Sequence, residues 1–140
     1  MSTERGAPRP KSLRGVIFDL GGTLIDFHPG GDWRDMEHLG AVGWRAFLLA
    51  HGYDMPDEET VKAVVWEQMF EGWLSIGQGR DEELTLANQL RLVAKRLGLA
   101  LAPEDAALAE AAFVGAVQEQ VRPIDGAAEI LCALKSRGLR

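Results

Sequence analysis

Val16-Ile17-Phe18-Asp19-Leu20-Gly21-Gly22-Thr23-Leu24-Ile25-Asp26 is the stretch on which the fold turns. It begins inside Leu13 to Leu20, a short apolar run rich in β-branched and aromatic residues that ends at a Gly-Gly pair. Such a run predicts a buried strand followed by a tight turn. Val16, Ile17 and Phe18 are apolar on both faces, which suits a sheet covered on both sides, typically a parallel one. Asp19 then falls at the carboxyl end of the strand, where open α/β sheets place their ligands. Gly21 and Gly22 let backbone N–H groups come close to an anion, and Thr23 adds a hydroxyl. The same residues also read as an aspartate that ends its strand and bonds its own turn. Taken alone, they leave both readings open.

Outward from this stretch the chain is helical. Trp33, Met36, Gly40, Trp44 and Phe47 follow helical spacing from Asp32 onward, with Gly52 as the stop after His51. Pro56 and the acids Asp57, Glu58 and Glu59 open a second helix, the acids suiting the positive end of its dipole. Val61, Val65, Met69 and Ile76 mark one face of it; Trp66, Phe70 and Trp73 mark another. Gly77 and Gly79 end it. Asp81 is the expected cap of a third helix with Leu86, Leu90, Val93 and Leu97 inward, stopped by Gly98. Pro103 and Glu104 start a fourth that reaches about Gln120. After Arg122-Pro123-Ile124-Asp125-Gly126 comes a fifth, with Ala127, Ile130, Leu131 and Leu134, ending at Gly138.

One strand and five helices make an unbalanced inventory. A solitary strand leaves the N–H and C=O groups of both edges unpaired, at a cost too high to bury. Val121 to Ile124 contains a proline and is a poor partner. The expectation is a sheet that other polypeptide must complete, either as a continuation of this chain or as a separate one.

Composition narrows the function. The 140 residues carry a formal charge of −6 and no basic block, so they lack the clustered cations that displace counterions from nucleic acid. No segment approaches the length of apolar sequence needed to span a bilayer, and residues 1–12 are polar, without the apolar centre of a signal peptide. A cytoplasmic protein with a disordered tail over 1–12 is expected. Cys132 is the single cysteine, which excludes an intrachain disulfide; its place in an apolar stripe predicts a small buried hydrophobe. The four tryptophans read as helix packing. His28, His38 and His51 show no metal-ligand spacing. Gly77-Gln78-Gly79 follows a helix, so it is no dinucleotide fingerprint; Arg80 beside it reads as a solvated side chain or an anion contact.

Phe18-Asp19-Leu20-Gly21-Gly22-Thr23-Leu24 resembles the first signature of the haloacid dehalogenase-like hydrolases, a strand followed by Asp-x-Asp-x-Thr. The run from Arg122 to Gly138 is similar to the segment preceding that family's second signature, and the helices between are about the size of its inserted cap. The resemblance covers nearly the whole chain. It implies an α/β Rossmannoid core, with its first strand and one later helix present at 13–31 and 121–140. A four-helix cap fills 32–120, and the core is incomplete. It implies a Mg²⁺-dependent phosphatase for a small phosphorylated metabolite. Asp19 would be the nucleophile that becomes an aspartyl-phosphate, with Gly22 and Thr23 at the phosphate. The metal would be held by Asp19 and the backbone carbonyl of Gly21. Gly21 departs from the pattern, standing where these phosphatases usually carry a second aspartate as general acid and base. The family's later phosphate-binding, basic and acidic residues have no counterparts here, so the chain alone is expected to be inactive.

Two other functions fit parts of the sequence. Asp19-Leu20-Gly21-Gly22-Thr23 also resembles the first phosphate loop of sugar kinases of the actin-like ATPase class. There the Gly-Gly-Thr lies on a β-hairpin, and His28-Pro29-Gly30-Gly31 followed by a helix does not supply one. A non-catalytic helical module, self-associating or bound to a partner that provides the missing strands, is the second.

Overall fold

The structure is a computed structural model that describes residues 14–78 and 85–139. The expected tail at 1–12, and Gly79, Arg80 and Asp81, lie outside the described residues. Helices dominate: α1 (Trp33–Ala50), α2 (Glu58–Gly77), α3 (Leu86–Arg96), α4 (Pro103–Gln118) and α5 (Ala127–Ser136). Two short strands, β1 (Ile25–Asp26) and β2 (Arg122–Pro123), form a two-stranded sheet.

The helix ends follow from local chemistry. At the start of α1 the Asp32 carboxylate accepts from the N–H groups of Arg34 and Asp35, while Asp35 Oδ2 accepts from the Asp32 N–H at 3.0 Å. This reciprocal capping box pairs N–H groups that the first turn leaves without helical partners. Asp57 caps α2 through the Thr60 N–H at 2.9 Å, and Thr85 caps α3. Leu86 is therefore the first residue of α3, later than the expected start at Asp81. Pro103 opens α4 with no side-chain cap; instead the Tyr53 hydroxyl accepts from the Ala102 N–H and donates to Asp105 Oδ2 at 2.7 Å. α1 closes with Gly52 N–H to Leu49 C=O and Tyr53 N–H to Leu48 C=O. That paired closure needs a left-handed residue between helix and loop, and Gly52 has φ +83°.

Two compact units result, one of residues 27–122 and one drawn from 14–26 and 123–139. In the first, α1 packs most extensively on α4 and also on α2, while α3 lies against α2 and α4. Trp44 and Leu48 from α1, Val61 and Val65 from α2, Val93 from α3 and Ala109 from α4 are all fully buried. α1 approaches α4 closely because it has no side chains to hold it off at two positions. A Cβ on Gly40 would stand 2.3 Å from the Phe113 ring, and one on Gly43 would stand 2.6 Å from the Ala112 carbonyl oxygen. One buried polar pair crosses this core, Gln68 Nε2 donating to Gln89 Oε1 at 2.9 Å.

In the second unit the structure departs from expectation at three places. Residues 14–19 are not a strand, since no ladder bond reaches them from any described residue. They keep a two-residue alternation: Val16 and Phe18 are half-buried, while Ile17 is 99% exposed. Val16 and Phe18 line one hollow with Leu131 and Leu134 of α5, and no described strand lies alongside to pair with 14–19. Val121 to Ile124, judged a poor strand, contributes β2. The proline is accommodated because the strand is two residues long and the next N–H, that of Ile124, donates to the Leu24 carbonyl at 3.0 Å. Cys132 is exposed rather than buried. Its helix α5 leaves Ile130 and Leu131 open to solvent as well, so the apolar stripe is present but mostly uncovered among the described residues.

Candidate active site

The signature residues sit in a closed loop. Leu20 C=O accepts two N–H groups, from Leu24 at 2.9 Å and Ile25 at 3.1 Å, and the Gly22 N–H returns to the Ile25 carbonyl at 2.8 Å. Gly22 has φ +72°, a conformation a side chain would strain. The bridge is drawn between Gly21 and Ile25, yet its bonds are made by the groups of Leu20, Gly22 and Ile25. The N–H and C=O of Gly21 are not used in it. Asp19 is exposed just before the loop, and Thr23, also exposed, makes no hydrogen bond through its hydroxyl.

This geometry separates the roles expected of the two glycines. The Gly22 N–H is taken by the Ile25 carbonyl in this loop, and its positive φ lets the loop close. Gly21 has no positive φ, so no left-handed backbone requires glycine there. It presents a carbonyl that is uncommitted, two residues from the Asp19 carboxylate. These are hard oxygen donors of the kind Mg²⁺ selects. Among the described residues no group of three or more His, Cys, Asp or Glu side chains could hold a metal.

A protein-family model for haloacid dehalogenase-like hydrolases matches residues 13–140. The chain belongs to the haloacid dehalogenase-like hydrolases. No curated protein matches it. The matching family is the first of the two that Asp19 to Thr23 resembles. As a haloacid dehalogenase-like hydrolase it combines a mostly helical chain with one small sheet. Among the described residues no helix is long and apolar enough to cross a membrane.

A second set of side chains, in the helical unit of this hydrolase, went unnoticed in the sequence. Trp33 and Glu37 of α1, with Trp66, Met69, Phe70 and Trp73 of α2, line a pocket of about 200 Å³. Trp66, Phe70 and Trp73 were expected as a packing stripe, but Phe70 is half-exposed and Trp73 is 65% exposed. Trp33 and Trp73 meet at 5.8 Å between centroids, and Trp66 and Phe70 at 5.6 Å. Glu37 Oε2 is buried there and accepts no hydrogen bond. Burial pushes the Glu37 carboxyl up to about 7. No sequence signal marked Glu37, because its surroundings are assembled from residues of both α1 and α2.

Glu37 therefore makes stability depend on pH. Its folded pKa lies above the ordinary 4.5, so its contribution is fully present below about pH 4.5 and is lost as pH rises through 7. Glu37→Gln cannot ionise and should be the more stable form at pH 8, by at most about 3 kcal/mol. At pH 5 the gap should shrink to about 1 kcal/mol or less. Urea midpoints at both pH values check this; a gap that does not change with pH would contradict it.

Proposed function

We propose that this chain carries the nucleophile and the helical cap of a phosphatase-type hydrolase acting on a small phosphorylated metabolite. The supporting observation is the loop closed by Leu20, Gly22 and Ile25, which leaves the Gly21 carbonyl uncommitted beside an exposed Asp19. In this reading residues 32–120 are the cap, and 13–31 with 121–140 belong to the α/β core.

Asp19 attacks phosphorus, the ester bond breaks, and the leaving oxygen departs with its electron pair. Water then attacks the aspartyl-phosphate, releasing inorganic phosphate and restoring the carboxylate. Thr23 supplies a hydroxyl, and the amides of Leu20 and Gly21 supply N–H groups, for the phosphate oxygens. Asp19 and the Gly21 carbonyl would hold Mg²⁺, which when bound offsets the repulsion between carboxylate and phosphate. The unpaired backbone of 14–19 favours a core completed by strands from further polypeptide. Without them the residues described here supply only part of the pocket, and slow turnover is expected.

The proton balance yields a test. Nothing at Gly21 can protonate the leaving oxygen, so the rate should fall steeply as that oxygen becomes more basic. Gly21→Asp, at a position without a positive φ, should raise turnover of an alkyl phosphate by about 10²-fold and leave nitrophenyl phosphate little changed. Steady-state kcat/KM for both substrates with Mg²⁺ measures this. Equal gains on both substrates, or none on the alkyl ester, would contradict the roles given to Asp19 and Gly21.

A further inference from the structure

The loop from Leu20 to Ile25 is closed by its own backbone bonds, which fix its shape but not its bearing. A closed turn can still pivot as a unit, because each flanking residue keeps two soft dihedrals. Asp19 stands at the entry, one residue before Leu20, so a pivot there moves the carboxylate that the proposed reaction aims at phosphorus. What sets the bearing comes from residues about a hundred positions later. At the exit of the loop, the Ile124 N–H donates to the Leu24 carbonyl at 3.0 Å. The Ile124 carbonyl in turn accepts from the N–H of Ala127 at 3.0 Å, and Ala127 is the buried first residue of α5. Gly126, with φ +81°, makes the turn between them. One residue thus bonds the signature loop through its N–H and the start of α5 through its C=O. At the entry, Val16 and Phe18 border the same apolar hollow as Leu131 and Leu134 of α5.

We propose that Ile124 is a positioning residue for the Asp19 reaction, holding the signature loop at a fixed bearing on α5 through its N–H bond to Leu24. The proposal rests on the phosphatase-type reading of Asp19. Both ends of the loop are referred to one helix, but the two ties differ in kind. Apolar burial at the entry is non-directional, whereas the N–H bond at the exit constrains angle as well as distance. Pro123, the preceding residue in β2, has no N–H to share that task. In this scheme Ile124 touches no reacting atom; it acts through Leu24, whose own N–H is bonded to the Leu20 carbonyl at 2.9 Å. Leu20 adjoins Asp19. A misplacement of about 1 Å can cost an attacking group about 10²-fold in rate, so a bond this close to the nucleophile has leverage on turnover. The N–H carries the effect, which makes the side chain of Ile124 replaceable and its amide not.

Three substitutions separate the bond from the side chain. Ile124→Val keeps the N–H and most of the side chain, Ile124→Gly keeps the N–H but loosens the backbone, and Ile124→Pro deletes the N–H. Two readouts apply to the full chain with Mg²⁺, at a temperature where circular dichroism shows each variant folded. One is kcat and KM for nitrophenyl phosphate; the other is amide hydrogen exchange at Gly22, Leu24 and Ile25 by NMR. The valine variant should stay within about twofold of the wild-type kcat, the glycine variant should fall about fivefold, and the proline variant about tenfold or more. KM should not change, and exchange should quicken in the same order. If the proline variant does not fold, the glycine variant against the valine variant decides. Equal kcat in all folded variants, a loss that appears in KM instead of kcat, or unaltered exchange would overturn the proposal. Absence of Asp19-dependent turnover in the wild-type chain would overturn the phosphatase reading and the positioning role with it, whereas turnover that ignores these substitutions overturns the positioning role alone.

Discussion

Trp44→Ala is expected to destabilise the helical unit by about 3–5 kcal/mol, enough to bring a domain of ordinary stability to the edge of unfolding. Trp44 is 0% exposed and lies in the same cluster as Leu48, Val65, Val93 and Phe113. It sits on α1, the helix that packs most extensively on α4 and also against α2. Removing the indole deletes its transfer contribution and leaves a cavity among neighbours that cannot all collapse. Gly40 and Gly43 already hold α1 as close to α4 as the backbones allow, so inward movement there is limited. Trp73→Ala is the matched control. At 65% exposed, it should cost less than about 1 kcal/mol. Urea unfolding followed by far-ultraviolet circular dichroism measures both, since losing an indole does not remove the helical signal. Similar midpoints for the two variants would mean that the core is not centred where the structure puts it.

Asp19→Asn carries the second large effect. An amide is no nucleophile toward phosphorus, and the change keeps the shape of the side chain. In the proposed reaction it removes the group that forms the new bond, so Mg²⁺-dependent hydrolysis of an aryl phosphate should fall by at least about 10³-fold. Stability should barely change, because Asp19 is exposed and none of the loop-closing bonds uses its side chain. Loss of activity with an unaltered melting curve is thus the expected pair of results. Activity and stability falling together would instead make Asp19 a structural residue of the turn, the alternative its sequence left open.

How far the sequence revealed this protein depends on how local each feature is. Helix ends are decided within a turn of chain, so Asp32, Gly52, Asp57, Gly98, Pro103 and Gly138 marked them well. Strands are not local. Ile25–Asp26 and Arg122–Pro123 pair across most of the chain, and nothing in either dipeptide advertises the other. Residues 14–19 show the converse, an apolar run whose composition says strand but which has no described strand alongside it. The exposed Cys132 has the same origin, since a stripe tells which face is apolar and not whether anything covers it. The Asp19 to Thr23 stretch was legible as a candidate site because its residue types are unusual together, while the different hydrogen bonding of Gly21 and Gly22 needed the geometry of the loop. Glu37 was invisible because three tryptophans from two helices had to be assembled around it first.

Asp19 is the residue on which the proposed chemistry depends most. The most direct measurement is mass spectrometry of the full chain, acid-quenched after exposure to acetyl phosphate and Mg²⁺, with the modified peptide sequenced. A phosphoryl group on Asp19, absent in Asp19→Asn and lost on incubation with water at neutral pH, is the predicted result. A phosphoryl group on another residue, or undiminished phosphate release by Asp19→Asn, would contradict it.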